Sequence, residues 1–121
     1  MKPEMRRVVA FIAGRIASGK GASSIYDYAT SHHTHFSGDV SESRISIYDF
    51  DAGAHISGSR SGNRWSLYHF GLGSHFNLAI EPGGKFSGFD FSSGSHFNGA
   101  IHGGSISLYD YSAGQFVNYS I

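Results

Sequence analysis

Residues 46–64 read SIYDFDAGAHISGSRSGNR, two runs of alternating apolar and polar side chains separated by a turn that contains Gly53. Period-2 alternation on both sides of a glycine-bearing turn is the pattern of a β-hairpin. The stretch is copied along the chain: SIYDYATSHHTHFSGDVSESR begins at Ser24, SLYHFGLGSHFNLAIEPGGK at Ser66, SGFDFSSGSHFNGAIHGGSI at Ser87, and a half copy, SLYDYSAGQFVNYSI, at Ser107. The aromatic markers Tyr28, Phe50, Phe70, Phe91 and Tyr111 fall 20 to 22 residues apart. A fixed period of this length makes each copy one supersecondary unit. The prediction is an all-β fold, tandem hairpins forming an up-and-down meander of about ten strands. Residues 24–121 are the repeat domain, and residues 1–23 are an N-terminal segment, helix or strand plus a Gly-rich loop.

The chain has 121 residues, with 17 Gly, 10 Phe and 7 Tyr but only 2 Pro and 15% charged residues. That is room for one domain, with too many rings for disorder and too many glycines for a helical bundle. Nine Lys plus Arg balance nine Asp plus Glu, so no nucleic-acid partner is expected and charge does not point to an anionic membrane. The absence of cysteine excludes disulfides, thiolate catalysis and Cys-type zinc sites. The apolar run Val8 to Ala13 is interrupted by Gly14 and Arg15, too soon for a signal-peptide core or a membrane span. Localisation is left open, leaning to the cytoplasm.

Cross-strand partners share a face, so the loops decide which residues meet. A three-residue loop Asp51-Ala52-Gly53, with Gly in the left-handed position, sets Asp49 opposite His55 and Tyr48 opposite Ile56. The next copies set His69 opposite His75 and Asp90 opposite His96. Between copies, three-residue loops at Ser61-Gly62-Asn63 and His102-Gly103-Gly104, and a four-residue loop from Glu81 to Gly84, keep that register. One face then bears a row of Asp27, His35, Asp49, His55, His69, His75, Asp90, His96 and Asp110. The other bears an aromatic row that includes Tyr26, Phe36, Tyr48, Tyr68, Phe76, Phe89, Phe97 and Tyr109. Beside it runs a strip of Ser and Gly, over which rings lean and let the sheet bend. The Asp/His face also carries Ile45, Ile47, Trp65, Leu67, Phe86 and Leu108. Apolar rows on both faces fit a closed or funnel-like barrel, or a sheet covered on one face by the N-terminal segment or a second chain.

The units Tyr48-Asp49-Phe50-Asp51-Ala52-Gly53 and Tyr109-Asp110-Tyr111-Ser112-Ala113-Gly114 resemble the Y-D-x-x-G hairpins of YD-repeat proteins and of the four-fold beta-flower proteins, with one more residue between Asp and Gly. The period is also similar to that of curlin-type amyloid repeats. The resemblance implies a repeat scaffold and no particular activity.

A carboxylate opposite an imidazole orients the ring and raises its basicity, so the Asp/His row is the first candidate site. His69 replaces the Asp of the other copies and is flanked by His55 and His75. Neighbouring strands are about 4.8 Å apart, and these three are the candidate ligands of a divalent metal. No other cofactor is expected. Asp49, Asp90, His96 and Trp65 are candidate ligand-binding residues, since rings with Asp and Asn nearby suit carbohydrate, although the same rings equally build a core. The rim loops Ser59 to Arg64 and Glu81 to Gly84, with Arg60 and Arg64, are the expected binding edges. No serine stands in a nucleophile-elbow setting, so no catalytic residue is assigned.

Residues 14–21, GRIASGKG, fit G-x-x-x-x-G-K after a β-branched run and resemble the P-loop nucleotide kinases, with Ala22 where a Mg²⁺-binding hydroxyl is expected. That resemblance implies backbone N–H groups cradling phosphate between Gly14 and Gly19, with Lys20 reaching the outer phosphates. The same stretch also reads as an amphipathic helix over Pro3 to Ala17, with Met5, Val8, Val9, Ile12 and Ile16 on one face. The expected function is a non-enzymatic scaffold or binding module, its partner a protein, a small ligand or a second copy. The alternatives are a nucleotide-binding protein using Gly14, Gly19 and Lys20, and a self-assembling structural β protein.

Overall fold

The alternating runs form ten antiparallel strands: β1 (Ser24–Asp27), β2 (His32–Val40), β3 (Arg44–Asp49), β4 (Ala54–Ser61), β5 (Arg64–His69), β6 (Ser74–Glu81), β7 (Lys85–Asp90), β8 (Ser95–His102), β9 (Ser105–Asp110) and β10 (Gln115–Ser120). A computed structural model describes residues 1–121 and pairs each strand with its sequence neighbours, while β1 also pairs β10, so the meander closes into a barrel. Closure removes every free edge. β-branched and aromatic residues alternate with Ser, His and Asn along these strands, and the pleat sends the two sets to opposite faces.

The N-terminal segment is a helix, α1 (Pro3–Ser18), and it fills the barrel. Pro3 suits its first turn, and Gly19 ends it in the left-handed conformation, φ 68°, donating its N–H to the Arg15 carbonyl at 3.2 Å. The expected one-sided apolar stripe is too narrow a description. Met5, Val8 and every residue from Val9 to Gly14 are buried, so the helix is apolar all round, as a helix surrounded by protein must be. Ile45, Ile47, Ile56, Leu67, Phe76, Leu78, Phe86, Phe97 and Leu108 line the wall around it, and Phe11 stacks on Phe36 with ring centroids 4.1 Å apart. Eight-stranded barrels are already just wide enough for their own side chains, so ten strands leave a lumen needing further atoms. A 16-residue helix is about 24 Å long. Strands of six to eight residues, tilted as barrels require, stand roughly 15–20 Å high. The helix therefore traverses the lumen completely.

The loops differ from the expected ones by one residue each. Tyr48 pairs with His55 and Asp49 with Ala54, so the hairpin loop has four residues, Phe50 to Gly53. On the other side, Ser61 pairs with Arg64, Glu81 with Lys85 and His102 with Ser105, each connection being one residue shorter than expected. The extra residue comes from the aspartate. Asp49 accepts the backbone N–H groups of Asp51 and Ala52 at 2.9 and 3.0 Å, and Asp90 and Asp110 accept those of Ser92 and Ser112 at 3.0 Å. This Asx turn winds the first loop residues helically, and the chain reverses only at the left-handed glycine, with Gly94 and Gly114 bonded back to the Asp90 and Asp110 carbonyls.

A one-residue slip exchanges the faces of a strand. The odd-numbered strands keep the expected faces, while β2, β4, β6, β8 and β10 are reversed, Phe36 and Val117 lying inside and His35 outside. Ile56, Phe76 and Phe97 point into the core and His55, His75 and His96 point out. The expected mixed Asp/His row and continuous aromatic row do not exist; each is divided between the inside and the outside. Rings do cover glycines, on the inner face: a Cβ at Gly88 or Gly99 would come within 2.4 Å of the Phe97 or Phe86 ring.

Truncating the centre of α1 tests the packing. Ile12→Ala is expected to cost roughly 2–5 kcal/mol in urea unfolding, the range for a large-to-small change in a core that cannot collapse. A loss below about 1 kcal/mol would show that the lumen relaxes around the helix.

Candidate functional site

At one end of the barrel the loops after β1, β3, β5, β7 and β9 form a rim, and Asp49, His69, Asp90 and Asp110 point inward from it with no solvent exposure. The N-terminus of α1 emerges there. Arg7 Nε lies 2.9 Å from Asp49, Arg6 lies 3.2 Å from Asp110, and the Met1 ammonium lies 3.2 Å from Asp110 and contacts Ser112 Oγ. These cationic groups, at the positive end of the helix, meet a partial ring of carboxylates. Burial alone would raise the Asp110 carboxyl. Hydrogen bonds from Ser112, the N-terminal ammonium and Arg6 outweigh it and hold the group below its usual 3.8.

His69 takes the aspartate's place in its hairpin. Its Nδ1 accepts the Leu72 N–H at 3.2 Å, which leaves the proton on Nε2, where it has no partner. Burial holds its pKa below the ordinary 6.5, against the opposing fields of Asp49 and Glu4. The candidate metal set is thereby separated by the wall of the barrel: His69 faces the lumen, while His55 and His75 lie outside on the rings of Tyr48 and Tyr68, at 4.8 and 4.6 Å. No three His, Asp or Glu side chains converge to hold an ion. Of the candidate ligand-binding residues, Asp49 and Asp90 are consumed as turn anchors and Trp65 is core at 2% exposure, leaving His96 on the surface.

The phosphate-loop reading fails on placement. A P-loop opens a helix, whereas residues 14–20 close one. Gly14 lies within α1, where a Cβ would meet Ile106 at 2.6 Å, and Gly19 is the C-terminal cap. The backbone groups left free at this end are carbonyls, which repel phosphate. Lys20 is exposed, with its ammonium against Gly104. Arg60 shares a rim hollow of about 690 Å³ with Arg15, Lys20 and Glu42, at the end where binding loops are expected.

The outer wall near the turn rim carries a different arrangement. Each hairpin projects an aromatic residue just after the inward Asp or His: Tyr28, Phe50, Phe70, Phe91 and Tyr111, between 53 and 59% exposed. Each stands edge-to-face on the ring two positions earlier, at 4.7 to 5.2 Å. Where consecutive hairpins meet, this leaves a cleft. In the third hairpin it is about 440 Å³, floored by Ser66, Gly73, Ser74, His75 and Asn77 and walled by Phe91 of the next. In the fourth it is about 840 Å³, with Ser87, Gly94, Ser95, His96 and Asn98 at the same positions and Tyr111 as the wall. The sequence signal was the tetrapeptide Ser-His-Phe-Asn, present at residues 74–77 and 95–98. Its period puts His and Asn together on one face and Phe on the other. Asn77, Asn98, Phe91 and Tyr111 were missed because the expected register turned His toward Asp.

The remaining hydrogen-bonding capacity differs between the clefts. Asn77 Oδ1 accepts the Phe89 N–H at 2.9 Å, leaving its NH₂ free. Asn98 Nδ2 donates to the Tyr111 hydroxyl at 2.8 Å, leaving its carbonyl oxygen free.

Groups with shifted pKa values make stability pH-dependent, and the two at this rim, His69 and Asp110, act in separate windows. The folded-state pKa of His69 is lowered, so folding binds fewer protons than the unfolded chain. Its contribution is complete above 6.5 and declines as pH falls from there toward the lowered value. Asp110 contributes above 3.8 and is lost as pH falls through its own lowered value. Urea melts across pH 3–8 should show His69→Asn, which keeps an acceptor for Leu72 N–H, flattening the first window and Asp110→Asn reducing the second, to which the lowered Asp51 also contributes. A difference between wild type and His69→Asn that does not vary with pH would show that His69 titrates alike in both states.

Comparison with family models, with curated proteins and with solved structures returned no match for this chain.

Proposed function

We propose that the protein is a non-enzymatic binding module whose ligand sites are the clefts of the third and fourth hairpins. The observation that carries this reading is repetition with the same chemistry: Ser, Gly, Ser, His, Asn and a neighbouring aromatic wall recur in both clefts. The imidazoles pack on the rings beneath them, but the exposed serines, the free hydrogen-bonding groups of the asparagines and the outer rings recur beyond what that packing requires. Concave sites that combine exposed rings with a few converging polar groups are the usual form of a ligand pocket. A binding role fits better than catalysis, because neither cleft holds a carboxylate beside its imidazole, and Asp49, Asp90 and Asp110 face the lumen across the barrel wall. The closed barrel supports the role by holding the cleft residues on strands instead of loops, with little ordering left to occur on binding.

Amide chemical-shift mapping with a fragment library tests it. Fragments are expected to perturb His75, Asn77 and Phe91 together, and His96, Asn98 and Tyr111 together. Perturbations confined to the opposite rim around Arg60, or absent from both clefts throughout, would overturn the assignment.

A further inference from the structure

Resting on that binding-module reading, we infer that the ligand is an uncharged saccharide, one pyranose ring laid against Phe91 and another against Tyr111, so that a linear oligosaccharide engages both clefts at once. Three features single out this chemistry. First, the walls are rings with more than half their surface in water, 58% for Phe91 and 53% for Tyr111, each fixed from below by an edge-to-face contact at 4.9 and 4.7 Å. A pyranose presents a face of C–H groups that covers such a ring while its hydroxyls project sideways, where the amide, imidazole and serine groups lie.

Second, the third-hairpin cleft contains no charged side chain, and the fourth has Arg64 alone at its margin. An anionic or cationic ligand would find no compensating partner in the first of these, and burying an unpaired charge is costly. Third, the free groups demand a partner that both donates and accepts. Asn77 has its NH₂ free and needs an acceptor, while Asn98 has its carbonyl oxygen free for a donor and one remaining N–H for an acceptor. Sugar hydroxyls do both. The main competitor for an aromatic groove is a polyproline peptide, which supplies carbonyl acceptors and lacks N–H donors at its prolines, so it would leave the free Asn98 carbonyl oxygen without a donor.

Two strands separate equivalent positions of consecutive hairpins, and the register sets Asn77 level with His96, two residues short of Asn98, so the clefts lie about 12 Å apart on the sheet. That is comparable with the length of a disaccharide unit. A chain of linked pyranoses reaching both sites gains from effective concentration without any additional type of contact.

The test is amide chemical-shift titration of the full chain with methyl glucoside, galactoside, mannoside and N-acetylglucosaminide, with the corresponding linear tetrasaccharides, and with a decaproline peptide. Phe91→Ala, Tyr111→Ala and the double variant Asn77→Ala/Asn98→Ala are compared, their melting temperatures checked against wild type. Expected is millimolar binding of at least one monosaccharide at both clefts, with its tetrasaccharide at least tenfold tighter. Phe91→Ala should abolish shifts in the third-hairpin cleft only, Tyr111→Ala those in the fourth, and either should return the tetrasaccharide to monosaccharide affinity. Asn77→Ala/Asn98→Ala should weaken both at least fivefold; if it unfolds, the two ring variants decide. Decaproline shifting the clefts while no saccharide does would overturn the sugar assignment and leave the binding module standing. Silence of both clefts toward every probe, library fragments included, would overturn both. Saccharide shifts that persist in Phe91→Ala and Tyr111→Ala would also overturn the inference, placing the sugar elsewhere.

Discussion

A ten-stranded barrel cannot close on its own side chains alone, and the filling of its lumen by α1 is the constraint on which the other features depend. An unpaired strand threaded through that space would carry N–H and C=O groups with no partners, since the wall strands are already fully paired with one another. A helix satisfies its backbone internally and is therefore the form in which Val8 to Gly14 can lie among Ile, Leu and Phe side chains. Its direction is set by charge. The positive end of α1, with Met1, Arg6 and Arg7, lies among the inward carboxylates, and its carbonyl end carries Arg15 and is followed by Lys20. Reversal would set the helix carbonyls against Asp49, Asp90 and Asp110.

The same arrangement explains how much of the fold the sequence disclosed. Alternation, glycine spacing and the recurring Tyr-Asp marker identified the number of strands and the order of hairpins, because those signals are local. Register was another matter. Counting Asp51-Ala52-Gly53 as the whole loop treated Phe50 as a strand residue, whereas the Asp49 carboxylate caps the turn and places Phe50 in the loop, one residue longer. The connections at Gly62 and Gly103 are each one residue shorter than expected. The two errors displace the register by two residues over every full repeat, an even number that restores the face, which is why Ile45, Leu67 and Leu108 lie on the expected side with the aspartates. Within a repeat the displacement is a single residue, and the even-numbered strands are inside out.

That inversion decides what was legible of the site. With His55, His75 and His96 turned inward, the natural reading was an Asp–His pair or a metal. Turned outward, each imidazole packs on a Tyr or Phe ring, and His75 and His96 share their strand face with Asn77 and Asn98. The neighbouring wall, Phe91 or Tyr111, comes from the next hairpin, and no reading of one repeat in isolation brings it in. The P-loop match had the opposite defect: its residues are contiguous and easily found, but the motif works only at the start of a helix.

His69 is the one departure from the inward aspartates in this part of the rim, and electrostatics accounts for it. Asp49 and Glu4 both act on that position, with Arg7 as the nearby cation, and Arg7 is already bonded to Asp49 at 2.9 Å. A third carboxylate there would be buried with no cation of its own, a costly arrangement. At the fourth hairpin the problem is met differently: Asp90 has no cation, but it accepts hydrogen bonds from the Ser92 and Ser93 hydroxyls at 2.8 Å. The third hairpin has Gly71 and Leu72 at the corresponding places and no hydroxyl to offer. A neutral imidazole accepts the Leu72 N–H as the carboxylate would, without adding charge. The turn chemistry is thus conserved between hairpins while the residue changes, and the change follows from which cations and hydroxyls each turn can reach.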